Sequence, residues 1–333
     1  MTGDALGVTA RAWCRVDLAG GTLDIWPLGL LHPGARTVNF AIDLAATVQL
    51  APARSGYRVR QRDGAVEADS PAALARQPDG ALAGIIAEAL ELPPFDAVLA
   101  SDSPRGGGLG ASSALAVALI AAAEEAFDRP RSSAAERAHL ARDLEARLMG
   151  LPTGIQDHYP ALLGGALEIE QRAGGESVRP LAVDLERLGA SLLVAYSGQS
   201  HFSAGNNWQV VRRRLDGEAE VTALFAGIAQ VAGEMASALE AGDLARVGEL
   251  MSQEWSHRRQ LAAGVSTPML ERLLAAARGA GAWGGKACGA GGGGCVALLS
   301  PPGAREAVAR ALRAGGATVL AVRPASGSIE IST

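Results

Sequence analysis

"SDSPRGGGLGASSALAVALIAAAEEAF", residues 101–127, sets Gly106, Gly107, Gly108 and Gly110 within five positions, directly ahead of the helix-forming run Ala114 to Phe127. Glycine loses more conformational freedom on folding than any other residue and is kept where backbone bends sharply or approaches something closely. Alanine and leucine are among the strongest helix formers, so the chain changes here from its most permissive stretch to one of its stiffest. The first N–H groups of a helix lack internal partners, and the helix dipole favours negative charge beside them. A glycine loop, two serines and a helix start together describe an anion site, with phosphate the natural occupant. A tight turn capped by Ser112 or Ser113 is the alternative, but a cap alone does not require four glycines.

The chain has 333 residues, enough for two domains and a sizeable core. Apolar residues make up 48% and charged residues 20%, as in an ordinary globular protein. A net charge of −5 argues against nucleic acid as a partner, since that needs a basic face. Lys286 is the only lysine. Cys14, Cys288 and Cys295 are an odd number without metal-ligand spacing and read as small buried residues of a reducing cytoplasm. The start, "MTGDALGVTARAW", has no apolar core segment of a signal peptide. The apolar run Ala114 to Ala123 is too short for a bilayer, so the expectation is a soluble cytoplasmic protein without a membrane partner.

Strands are expected at 37–52 and 57–69, the latter folded back at Asp63-Gly64, then a helix at 80–92 and a strand at 95–103. A helix from Ser133 to Met149 follows, with a strand pair in "GALEIEQR" and "VRPLAVDL". After "ASLLVAYSG" (190–198) come alanine-rich helices at 204–216, 220–240, 244–262 and 269–280. The stretch "GGKACGAGGGGCVALLS" (284–300) has the character of a glycine-rich hairpin, and a helix at 303–315 and two short strands end the chain. Strands then helices, twice over, predict an α+β protein of two domains, 1–187 and 188–333. Two glycine-rich loops beside regular structure are most simply explained by a polyanion gripped from two sides.

Three segments taken together resemble the GHMP kinases, the galactokinase, homoserine, mevalonate and phosphomevalonate kinase superfamily. "RAWCRVDLAGGTLDIWPL" (11–28) is similar to its first motif, "SPRGGGLGASSALAVAL" (103–119) to its second, the phosphate loop, and "GKACGAGGGGCVALL" (285–299) to its third. The loop is not of the Walker type, as no GxxxxGK[ST] is present. Within the superfamily the heptose 7-phosphate kinases are most alike, through "GGTLD", "GLGASSAL" and "QDHYPALLGG". The first motif reads Gly-Gly-Thr-Leu-Asp where Gly-Gly-Gly-Thr-Asp is expected, and His158 replaces a glutamine. The resemblance implies an N-terminal domain like domain 2 of ribosomal protein S5 and a ferredoxin-like C-terminal domain, with ATP and sugar between them.

By that resemblance, Pro104, Gly106, Gly107, Gly108, Leu109, Gly110, Ala111, Ser112 and Ser113 cradle the phosphates of ATP, joined by Gly289 and Gly291 of the third motif. Ser112 and Glu145 fall where relatives coordinate Mg²⁺, which prefers oxygen ligands. Read without the resemblance, Glu145 is a solvated helix residue pairing with Arg142 or Arg147. Asp157 matches the catalytic base, with helix capping as its alternative, and Arg15 matches the basic residue beside it. An arginine flanked by Val16 and Leu18 calls for an anionic partner. Asp24 matches the aspartate that accepts sugar hydroxyls, with Gly21 and Thr22 beside it, and a turn-forming role as the alternative. His158 and His201 are weaker substrate contacts, Lys286 a phosphate contact, and Trp13, Trp26 and Trp208 packing residues.

The implied activity is ATP- and Mg²⁺-dependent phosphorylation of the anomeric hydroxyl of a sugar or sugar phosphate, foremost heptose 7-phosphate. Another sugar, or a non-sugar alcohol such as mevalonate or homoserine, is the alternative within the fold. From a different class comes an inactive, metabolite-binding sensor. A homodimer stays open.

Overall fold

The computed structural model describes residues 7–200 and 204–333. Two sheets carry the chain. The first has eight strands: β1 (Val8–Ala19), β2 (Arg36–Pro52), β3 (Tyr57–Gln61), β4 (Gly64–Ala68), β5 (Phe95–Ser101), β6 (Ala166–Arg172), β7 (Gly175–Leu181) and the chain's last strand, β12 (Glu330–Ser332). Its order is β12-β1-β2-β5-β3-β4, and only β3 and β5 run parallel. The long β2 is shared, since Arg36 to Phe40 pair with β6 and Ala46 to Pro52 with β5. The second sheet holds β8 (Leu192–Tyr196), β9 (Gly284–Ala287), β10 (Cys295–Leu299) and β11 (Thr318–Leu320), antiparallel in the order β11-β8-β10-β9. With helices between β8 and β9 and between β10 and β11, this is the βαββαβ order of a ferredoxin-like sheet.

The helix Ala111–Ala126 lies under the first sheet, and from Ala114 through Ala123 only Leu115 is not fully buried. A helix apolar all round belongs in a core. It shares that core with the helices Ala81–Ala89 and Ala134–Met149 and with residues of β1, β2 and β5. A second core joins Val16, Leu18, Val38 and Phe40 of the first sheet to Leu192 and Val194 of the second and to the helices Ala219–Glu240 and Leu244–Arg258. The two glycine-rich segments therefore meet across a packed seam.

Most expected elements lie within a few residues of the observed ones. β1 went unread as a strand. Its Trp13 and Cys14 straddle a register shift against β2, so inward and outward positions do not alternate cleanly. The expected strand "VRPLAVDL" ends early: β7 stops at Leu181, and Asp184 caps the helix Leu185–Ser191 by accepting from the Arg187 N–H. The run Ala114 to Ala123 is not the sequence most like a membrane span. Among the described residues, Ala219–Glu240 is long and apolar enough to cross a bilayer, but Val221, Phe225, Ile228 and Met235 are packed in the cores. The boundary near residue 187 is offered as the division of the chain into domains, with β12 returning to the first sheet.

The helix Ala134–Met149 opens on a capping box: Ser133 Oγ accepts from the Glu136 N–H, and Glu136 accepts from the Ser133 N–H. Ser133→Ala should lower stability by about 1 kcal/mol, read as an earlier urea midpoint with an unchanged slope. An unchanged midpoint would mean the solvated end of this helix frays without consequence.

Candidate active site

The phosphate loop reverses direction on three left-handed glycines, Gly106, Gly108 and Gly110. Pro104 closes its first turn by accepting from the Gly107 N–H at 3.0 Å. Leu109 is buried and accepts from the Arg15 N–H at 2.9 Å, fixing the loop to β1. Gly110 occupies the N-cap of the helix and brings no side chain, so Ala111, Ser112 and Ser113 begin the helix with no side-chain cap on their N–H groups. Neither serine caps the helix. Ser112 Oγ donates to Glu145 Oε1 and Ser113 Oγ to Glu145 Oε2, both at 2.7 Å.

Glu145 is buried, not a solvated surface residue, while Arg142 pairs with Asp143 and Arg147 with Glu88. Its third partner is His158, whose Nε2 lies 2.7 Å from Oε2. Burial pushes the Glu145 carboxyl up, but the bonds from His158, Ser112 and Ser113 outweigh it and leave it below the usual range. For His158 burial acts downward and the Glu145 carboxylate more than reverses it. This corrects the expected substrate contact: His158 has no exposed surface and orients Glu145 instead. The oxygens of Ser112 and Glu145 are of the type Mg²⁺ takes, and a metal held there would find Glu145 oriented by the His158 ring nitrogen.

Across the loop, Arg15 is buried. Its Nε and Nη2 both reach Asp157 Oδ1, at 2.8 and 2.7 Å, and its Nη1 donates to the Gly108 carbonyl at 2.5 Å. The carboxylates of Asp157 and Asp17 reinforce its charge against burial. Asp157 sits just before the helix His158–Leu163 but makes no side-chain cap bond to it, and its side chain keeps 25% exposure. The left-handed Gly110 leaves its open side toward both residues: a Cβ there would lie 3.4 Å from Arg15 Cγ and from Asp157 Cγ.

Asp24 is buried, with Oδ2 accepting from the Gln156 N–H at 2.9 Å. Burial pushes its pKa to about 6; the backbone N–H bonds offset part of that, and Asp157 nearby adds to it. Thr22 and Gly21 lie beside it, bonded to Arg258 of the helix Leu244–Arg258. His201 lies outside the described residues. Trp26 is 73% exposed, so it does not pack as expected, whereas Trp13 is buried.

The third motif stands behind the phosphate loop. The Cys295 N–H donates to the Gly107 carbonyl, a Cβ on Gly108 would strike the Cys288 carbonyl, and one on Gly289 would lie 3.1 Å from the Gly108 carbonyl. Gly291 is pressed on the Val265 carbonyl. Lys286, expected on a phosphate, is instead fully buried, with Nζ 2.5 Å from Asp17 Oδ2 and 3.1 Å from Glu254 Oε2. Sequence reading missed Asp17, Glu254 and Arg258. The one available signal was charge inside apolar surroundings: Asp17 between Val16 and Leu18, and the only lysine beside a glycine-rich hairpin.

Models of the "GHMP kinases N terminal domain" and "GHMP kinases C terminal" match residues 79–165 and 235–318. The mevalonate kinase of Pyrococcus abyssi is 34% identical over 242 residues, covering 70% of this chain and 67% of that one. The D-glycero-alpha-D-manno-heptose 7-phosphate kinase of Campylobacter jejuni is 30% identical over 217 residues, covering 64% and 63%. The chain belongs to the GHMP kinase family. A D-glycero-D-manno-heptose 1-phosphate kinase structure from Bacteroides thetaiotaomicron shares its fold with a TM-score of 0.76 at 23% identity, covering 98% and 99%. The fold is thus the GHMP kinase fold with its two domains, and the protein is an ATP-dependent phosphotransferase with a small-molecule acceptor.

An acid whose pKa is raised on folding stabilises the folded state least when ionised. For Asp24 the stability is fully present below its unfolded value near 3.8 and is lost as pH rises to about 6. Asp24→Asn should therefore gain on the parent between pH 4 and pH 6 and hold the difference above, by on the order of 3 kcal/mol at most. Parallel denaturation midpoints across that range would overturn the assignment of a buried, titrating carboxyl.

Proposed function

We propose that this GHMP kinase transfers the γ-phosphoryl group of ATP to the anomeric hydroxyl of a sugar or sugar phosphate, with heptose 7-phosphate the foremost candidate. The carrying observation is the Arg15–Asp157 pair beside the phosphate loop. Both nitrogens of Arg15 sit on Oδ1, which leaves Oδ2 to take the acceptor proton. As that proton moves to Asp157, the hydroxyl oxygen bonds to the γ-phosphorus and the bond to ADP breaks. Phosphoryl transfer is largely positioning and charge stabilisation. Here the N–H groups of Ala111, Ser112 and Ser113 hold phosphate oxygens, and Arg15 aims Asp157. Ser112 and Glu145 would hold Mg²⁺, which when bound offsets charge on the phosphates.

Asp24 favours a polyol. A buried carboxylate accepts sugar hydroxyls, and it would repel the carboxylate of mevalonate or homoserine. The 34% identity to a mevalonate kinase is the observation on the other side, so mevalonate is the second reading. A metabolite sensor needs neither a charged pair beside the loop nor an oxygen pair at its end. Asp157→Asn keeps shape but cannot accept a proton, so turnover should fall about 10²–10⁴-fold with acceptor affinity nearly kept. An ATP-consumption assay over heptose 7-phosphate, other sugars, mevalonate and homoserine separates the readings. A product with phosphorus coupled to the anomeric proton in NMR supports sugar 1-phosphorylation; phosphomevalonate would replace it by the second reading.

Gly108→Ala tests the loop separately. The added Cβ meets the Cys288 carbonyl at 2.5 Å, and φ of 72° disfavours any side chain. The loop must leave the third motif, so AMPPNP affinity by calorimetry should drop at least tenfold. Unchanged affinity in a folded variant would remove the loop from nucleotide binding.

A further inference from the structure

Thr22 has φ of 73°, a left-handed backbone that a β-branched residue avoids. Strain of this kind persists only where the surroundings over-determine it, and it gathers at functional sites. Here the surroundings come from the other half of the chain. Arg258 is buried, and its Nη1 donates to Thr22 Oγ1 at 2.9 Å while its Nη2 donates to the Gly21 carbonyl at 2.6 Å. The turn continues through Leu23 N–H to the Gly20 carbonyl and Ile25 N–H to the Thr22 carbonyl, and Asp24 lies inside it. A fork of two donors on one hydroxyl and one carbonyl sets both the position and the twist of this turn.

Arg258 is itself held. Its Nε donates to Glu254 Oε1 at 2.7 Å, the other oxygen of Glu254 faces Lys286, Lys286 bonds Asp17, and Asp17 lies 4.0 Å from Arg15. Signs alternate along the whole line from Asp157 through Arg15, Asp17, Lys286 and Glu254 to Arg258, and from Arg15 onward every member is buried.

We infer that Arg258 is a positioning residue for the acceptor: it holds Gly21 and Thr22 in the strained turn that presents Asp24, and the buried chain through Glu254, Lys286 and Asp17 keys that turn to Arg15. The inference rests on the reading of Asp24 as an acceptor contact.

The test uses the full-length enzyme with heptose 7-phosphate as acceptor. R258M should raise the acceptor KM at least tenfold and leave the affinity for AMPPNP within twofold. Glycine adopts a positive φ without penalty, so T22G placed in R258M should recover at least threefold, which a general loss of stability would not allow. R258K should not recover, because one ammonium nitrogen cannot stand at the three positions from which Nε, Nη1 and Nη2 reach Glu254, Thr22 and Gly21. A folded R258M with the parent's acceptor KM, or no recovery by T22G, overturns the inference. Should R258M fail to fold, T22V, which exchanges the hydroxyl for a methyl group and keeps the β-branch, decides: a several-fold rise in KM supports the inference and an unchanged KM overturns it. If the parent phosphorylates no sugar, the sugar reading falls by itself. Crystal structures of the parent and T22V then judge the turn, and identical backbones over 20–25 overturn it.

Discussion

The ion pair between Lys286 and Asp17 is the constraint on which the two halves depend. Lys286 is on β9 of the second sheet and Asp17 on β1 of the first, and neither has more than a trace of surface. Removing two charges from water costs several kcal/mol per ion even after relaxation, and attraction offsets that only with close geometry and further partners. Those partners are present: Glu254 for Lys286, and the Gly289 N–H for the second oxygen of Asp17. Desolvation acts against ionisation of Asp17, and the neighbouring Lys286, Arg15 and Arg258 overcome it, holding its carboxyl below the usual range. A hydrophobic seam alone could slide; a buried charge paired to one partner fixes the register of one sheet on the other.

That register explains the glycines more fully than ligand binding does. A Cβ on Gly108 would meet the Cys288 carbonyl at 2.5 Å, one on Gly289 would lie 3.1 Å from the Gly108 carbonyl, and Gly294 is pressed on the carbonyls of Gly106 and Gly107. The two glycine-rich loops are stacked backbone on backbone, so neither can shift without the other. A preorganised set of N–H groups needs no rearrangement when charge develops, which is the source of most electrostatic catalysis. The three cysteines fit this seam as small apolar packing. Burial pushes Cys14 and Cys295 to about 12 and Cys288 well above its ordinary value, so none is a ready thiolate.

Local chemistry was legible in the sequence; long-range chemistry was not. The glycine loop, the helix after it and the cap at Ser133 follow from neighbours in the chain. So do the helices 204–215, 219–240 and 268–279, whose periodicity is local. The Arg15–Asp157 pair spans 142 residues and Arg258–Thr22 spans 236, and no spacing rule reaches that far. Arg15 and Asp157 were found because their surroundings resemble a family motif. Glu254 and Arg258 lie in an ordinary amphipathic helix, where an i,i+4 acid–base pair reads as solvated surface. His158 was misread for the converse reason: a polar residue beside the base invites a substrate role, and only burial against Glu145 reveals its actual partner.

The two ends of the site are built from different materials. The proposed phosphate end is backbone: N–H groups and glycines, whose placement depends on the fold and little on side-chain identity. The proposed acceptor end is side chains on a strained turn, Thr22 and Asp24, held by Gln156 and Arg258. On the proposed reading, changes at the first end act on a cofactor common to the family, whereas changes at the second act on which acceptor is held and how well. A chain about equally related to a mevalonate kinase and to a heptose 7-phosphate kinase is what such a division produces. It also makes the departure from Gly-Gly-Gly-Thr-Asp informative. Placing threonine rather than glycine at the left-handed position creates strain that must be held, and it supplies the hydroxyl by which Arg258 holds it.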